Sequence, residues 1–169
     1  YCPINKILAG LPNLTFLDAR GRFETPSQVE EKSITHTNLQ ELQILGLLLH
    51  AWPTLPNLRR LLLNTDCTIT LIGMLDMAHM WTKMENLQLN YHPEQDSLVS
   101  TEILAEAVSN WHQLEVFHLM TDYWTEYSIF PLLKALPPTV CQVRVQLRHF
   151  RQFEDVCTAL GHLNQLHTL

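Results

Sequence analysis

The stretch LPNLRRLLLN, residues 55 to 64, places leucines at 55, 58, 61 and 63. Steps of three, three and two fit neither a helix, which keeps a three-and-four rhythm, nor a strand, which alternates from its first residue. The two-residue step puts Leu61 and Leu63 on one face of a short strand, while the three-residue steps carry the chain round into it. The same spacing returns at Leu11, Leu14, Leu17 and Ala19, then at Leu39, Leu42 and Ile44. It recurs at Trp81, Met84, Leu87 and Leu89, and again at Trp111, Leu114, Phe117 and Leu119. Val140, Val143 and Val145, then Leu160, Leu163 and Leu166, bring the total to seven copies. Measured from the second position of each full copy, the steps are 25, 19, 26, 30, 26 and 23 residues. One such unit cannot bury its own apolar side, whereas stacked units can, through a parallel ladder of strands.

The segments between copies read mostly as helices. In STEILAEAVSNW, Ser100 or Thr101 is the expected N-cap, and Ile103, Leu104, Ala107, Val108 and Trp111 form one apolar stripe. RQFEDVCTALGH places Phe153, Val156, Cys157 and Leu160 on one face, with Gly161 ending the helix. SIFPLLKALPP carries Ile129, Phe130, Leu133 and Leu136, with Pro131 expected in the first turn, where its missing N–H costs nothing. LIGMLDMAHMW turns Met74, Met77, Ala78 and Trp81 inward, and TPSQVEEKSI is a weaker fifth helix. GLLLHAWPTL belongs to the 19-residue step, too short for a full helix, so Trp52 and Pro53 predict a compact turn. The fold class expected is therefore α/β: a solenoid arc with parallel strands on the concave face and helices on the convex face. It is a single domain over residues 1–169 with about seven irregular repeats.

Composition narrows the function classes. A chain that is 46% hydrophobic can bury a core, and no run of 18 apolar residues predicts a membrane span. The net charge of -6, with cations scattered, argues against a nucleic-acid partner. Cys2, Cys67, Cys141 and Cys157 form no CxxC pair and no zinc spacing, so buried free thiols in a reducing compartment are expected. There is no HExxH, no glycine-rich phosphate loop and no GxSxG, so no enzyme, metal or cofactor is expected. His36, His50, His79, His112 and His162 fall at turns or helix ends, as capping or solvent residues. Tyr1 without an initiator methionine, and the abrupt end at Leu169, read as cuts in a longer protein.

With LPNLTFLDA, TNLQELQIL, LPNLRRLLLN, MENLQLN, HQLEVFHL and LNQL in hand, the chain resembles a leucine-rich repeat domain of the helix-bearing, ribonuclease-inhibitor-like kind. The irregular lengths are most similar to the F-box/leucine-rich-repeat proteins. It departs from that pattern at the turn after each strand, where the family commonly has Asn or Cys. Here Arg22, Leu47, Asp66, His92, Asp122 and Arg148 stand, so the usual buried polar ladder is expected to be absent or displaced. The resemblance implies a protein-interaction domain recognising substrates for a ubiquitin ligase, with a Skp1-like partner reached through a segment before residue 1, in cytoplasm or nucleus. A scaffold or assembly subunit, or a ligand-sensing receptor arc, are the alternatives.

A protein or peptide partner is expected on the concave face, whose residues alternate with the buried ones. The middle row is Asp18, Gln43, Leu62, Gln88, His118, Arg144 and His167. The row before it is Phe16, Glu41, Arg60, Asn86, Val116, Gln142 and Gln165. The row after it is Arg20, Leu45, Asn64, Asn90, Met120 and Gln146. Arg60, Asn64, Asn86, Gln88, Asn90, His118 and Arg144 are the binding candidates, a band of amide and cationic donors suited to an extended peptide, a carboxylate or a phosphate. The longest polar connection is the loop over 90–97, and Tyr123, Trp124 and Tyr127, between a strand end and a helix, are candidate anchors for a protein partner.

Overall fold

The computed structural model describes residues 4–21, 34–46, 49, 51–92, 100–122, 126–147 and 153–169. In chain order the elements are α1 (Ile4–Gly10), β1 (Phe16–Arg20), β2 (Glu41–Leu45), β3 (Arg60–Thr65), α2 (Thr68–Met77), β4 (Asn86–Tyr91), α3 (Thr101–Ser109), β5 (Val116–Thr121), α4 (Glu126–Ala135), β6 (Gln142–Leu147) and α5 (Phe153–Leu160). The fold is α/β. The six strands form one all-parallel sheet in the order β1 to β6, each strand bonded to its sequence neighbours. Among the described residues no helix is long and apolar enough to cross a membrane.

The three-residue leucine step is a β-turn. The N–H of the second apolar position donates to the carbonyl of the first, at 2.9–3.1 Å, in Leu14 to Leu11, Leu58 to Leu55, Met84 to Trp81, Leu114 to Trp111, Val140 to Pro137 and Leu163 to Leu160. The following carbonyl then receives two N–H groups of the next copy. Thr15, Gln40, Arg59, Glu85 and Glu115 each do so at 2.8–3.1 Å, which sets every strand in the same register on the last. In the second copy the turn is closed differently. His36, in the place of the first leucine, is buried; its Nδ1 accepts from the Leu39 N–H at 3.1 Å and its Nε2 donates to the Leu11 carbonyl at 3.0 Å. His36 is therefore a core fastener between two copies, which corrects its assignment to a cap or to solvent. His79 does cap a helix end, on the Asp76 carbonyl, whereas His162 lies within reach of both the Ala159 carbonyl and, at 2.9 Å, the Leu136 carbonyl of the preceding copy.

Polar side chains do link successive copies, at the turns entering β2, β3, β4 and β6. Asn38 Nδ2 donates to the Pro12 carbonyl at 2.9 Å, Asn57 Nδ2 to that of Thr37 at 2.7 Å, and Thr139 Oγ1 to that of Leu114 at 2.7 Å. Lys83 Nζ reaches Asn57 Oδ1 at 2.6 Å. At the turn leaving the strands, Asp66, His92 and Asp122 are exposed, and His92 pairs with Asp122 at 3.3 Å. Arg22, Leu47 and Arg148 lie outside the described residues.

One side of the sheet is closed. Leu42, Ile44, Leu61, Leu63, Leu87, Leu89, Phe117, Leu119 and Val143 join a single core with Leu71, Met74, Leu104, Val108, Ile129, Leu133 and Val156 from the helices. Each fully buried leucine contributes about 1.5–3 kcal/mol of transfer free energy. The 19-residue step has no described helix. A parallel bridge joins Thr35 and Thr54. The buried Trp52 donates Nε1 to the Thr70 carbonyl at 3.0 Å and lies 5.6 Å from the Trp81 ring centre.

Several expectations are corrected. Ile103 is 50% exposed, outside the stripe of α3, and Cys157 is exposed on α5. Cys67 and Cys141 are half-buried, and all three of these thiols are free. Trp111 and Trp81 are buried, but beyond the helices that precede them. Pro131 sits in the second turn of α4, because the helix starts at Glu126 rather than at Ser128. Ser100 is the N-cap residue of α3, but its hydroxyl bonds to Glu102 rather than to the backbone. α1 was not foreseen from the sequence pattern. The seventh copy is slipped: after the Leu160–Leu163 turn a second turn, Leu166 N–H to the Leu163 carbonyl at 3.1 Å, delays the strand by three residues. Thr168 rather than Gln165 therefore pairs with Gln142, and neither Gln165 nor His167 occupies its expected row. The weak helix within 25–34 falls on residues 25–33 outside the described set, as do most of the polar loop, His50 and Cys2.

Candidate functional site

Because the strands are parallel and in phase, every second residue of each strand leaves the core and stacks with its equivalents across the sheet. The open face carries three rows. The first runs Phe16, Glu41, Arg60, Asn86, Val116, Gln142; the second Asp18, Gln43, Leu62, Gln88, His118, Arg144; the third Arg20, Leu45, Asn64, Asn90, Met120, Gln146. These are the rows expected from the spacing, less the seventh copy. All seven face candidates, Arg60, Asn64, Asn86, Gln88, Asn90, His118 and Arg144, therefore share one surface over β3 to β6. Tyr123 and Trp124 lie outside the described residues, and Tyr127 is a backbone position in α4 whose side chain lies outside them too.

The electrostatics divide this face. On β1, Arg20 grips Asp18 through Nε at 3.0 and 3.1 Å and Nη2 at 2.8 Å. That hydrogen bonding holds the Asp18 carboxyl below its ordinary value. Arg60 donates Nη1 to Glu41 across the β2–β3 pair at 3.1 Å. The cationic character expected at Arg60 is thus largely cancelled by a carboxylate on the same row. Both residues are exposed, so the pair adds little stability, but it removes a free charge. Just before the strands, Arg59 and Glu85 form a third pair.

The β4–β6 half differs. Among the described residues Arg144 has no carboxylate partner. It stands opposite His118 in the sheet register. Burial first, and the Arg144 charge second, push the His118 imidazole below its ordinary value. Gln142 donates its amide to His118 Nε2 at 3.0 Å, which places the ring proton on Nδ1. Gln88 Nε2 leans on Asn86 Oδ1 at 3.4 Å. Two shallow depressions result. One is lined by Glu41, Gln43, Arg60, Leu62, Asn86 and Gln88, the other by Gln88, Asn90, His118, Met120, Arg144 and Gln146.

Glu41, Met120, Gln142 and Gln146 join the binding candidates on the same rows and line the same surface. Row position was a sufficient signal for the Glu41–Arg60 pair, since adjacent strands bring the same row into contact. Among the described residues no cluster of His, Cys, Asp or Glu could hold a metal ion. No family model matches the chain, and neither a curated protein nor a solved structure matches it.

Proposed function

We propose that this chain is a protein–protein interaction domain, a leucine-rich repeat solenoid whose open strand face is the concave recognition surface. In this reading it is the substrate-recognition part of an F-box-type ubiquitin ligase adaptor. The single observation that supports it is the open face itself. One side of a strictly sequential parallel sheet is sealed by helices, and the other presents in-register amides, one histidine and one cation that no carboxylate among the described residues answers. Side-chain amides both donate and accept, so such rows can engage the backbone of an extended peptide as well as its side chains.

The test is affinity capture from cells with the partners identified by mass spectrometry, comparing the native chain with Arg60→Glu/Arg144→Glu. The double reversal should remove the partner while leaving the circular dichroism spectrum and melting temperature unchanged. Unaltered capture would exclude the open face. Recovery of a Skp1-like protein and a cullin supports the ligase assignment. Their absence, with one other protein recovered in equal amount, makes this a scaffold or assembly subunit instead.

A further inference from the structure

We propose that the depression over β4 to β6 is a subsite for a single carboxylate, borne by an acidic side chain of an extended partner peptide and received by Arg144 with the amides of Gln88, Asn90 and Gln146. This rests on the reading of the open face as a recognition surface and narrows it to one half of that face and one ligand charge.

The argument is a comparison of the three open-face cations. Arg20 is held by Asp18 and Arg60 by Glu41, so an incoming carboxylate at either must displace one already in place. Arg144 has no such competitor among the described residues. Around it, every polar group that lines the depression is an amide or the His118 ring, with no acid among them. A carboxylate entering there gains charge-assisted hydrogen bonds from a fork of guanidinium donors and from neighbouring NH₂ groups, and meets no like charge. Met120 supplies an apolar wall for the methylenes of a Glu or Asp side chain.

The charge count separates carboxylate from phosphate. His118 is kept neutral by its partial burial and by Arg144, and its Nε2 is already occupied as an acceptor. The subsite therefore offers one positive charge. A monoanion is matched, while a phosphate dianion carries one charge more than the subsite answers.

The experiment is a nuclear magnetic resonance titration of the ¹⁵N-labelled full chain with three blocked tripeptides, Ac-Gly-X-Gly-amide, where X is Glu, Gln or phosphoserine. With X as Glu, saturable shifts are expected at the Arg144 Nε–H and at the side-chain amides of Gln88 and Gln146, and none at Arg60. Arg144→Gln should weaken binding about tenfold or more, the loss expected for a charge-assisted contact. Glu41→Gln frees Arg60 and should create a second responding site. Stronger shifts with phosphoserine overturn the single-charge assignment. Equal response to the Gln peptide, or no saturable response, overturns the subsite. If the tripeptides fail while the double charge reversal still abolishes partner capture, this inference falls and the recognition surface stands. If capture is also unchanged, both fall.

Discussion

His118 lies in the middle row of the open face, half-buried, beside Gln88 on one strand and Arg144 on the other, with the amide of Gln142 on its ring. Its folded-state affinity for a proton is below the ordinary value of 6.5. As pH falls through that value the unfolded chain takes the proton while the folded chain resists it. Stability is therefore full above the ordinary value and is lost on acidification, over the window down to the depressed folded value. Denaturant unfolding followed from about pH 8 to about pH 5 should show this slope, and His118→Gln should flatten it. An unchanged slope in the variant would place the acid sensitivity elsewhere. His36 makes the opposite lesson at the same scale. A histidine in a leucine's place looks polar and exposed in the sequence, yet each ring nitrogen finds a backbone partner and the residue is buried. Spacing alone reveals the position, since it lies three residues before Leu39, but not the hydrogen bonds that make a histidine tolerable there.

At the scale of elements, α2 shows packing overriding local preference. Gly73 sits within the helix, where alanine is normally better by about 1 kcal/mol. A Cβ built there would lie 2.8 Å from Trp52 Cδ1, a ring held by its bond to the Thr70 carbonyl and by the neighbouring Trp81. Gly73→Ala should therefore destabilise the protein by about 1–3 kcal/mol, the overpacking cost of a filled core. A rise in melting temperature would show that Trp52 yields freely. The cause is the buried Trp52 ring, which fills the space beside Gly73. Periodicity identified α3 to α5 by their apolar stripes, and α2 by an apolar run that leaves Ile69 and Ile72 exposed. It misplaced their ends, since Trp81 and Trp111 continue the stripe after the helix has stopped and belong to the β-turn that opens the next strand.

For the molecule as a whole, the sheet grows by neighbour-to-neighbour pairing in chain order, so burial depends on how many strands flank a given one. β4 has two or more strands on either side, and its Leu87 and Leu89 are fully buried. β1 is an edge, with Phe16 at 45% exposure and Leu17 only half-buried. Amide hydrogen exchange should then be slowest in β4 and faster by orders of magnitude in β1, because the edge can open without breaking the centre. Uniform protection across all six strands would mean that the sheet opens only as one unit.

The three-three-two spacing by itself predicted seven copies, and six of them form strands in the parallel register and the three open rows expected, because a β-turn followed by a period of two has a signature independent of what packs against it. Tertiary structure decided the rest. It slipped the last copy by three residues when a second turn formed, it placed His36 inside and Cys157 outside, and it paired Arg60 with Glu41 while leaving Arg144 unpaired among the described residues. Those outcomes depend on distances between groups far apart in the chain, and a charge or a hydrogen bond is satisfied only by the neighbour that the fold delivers.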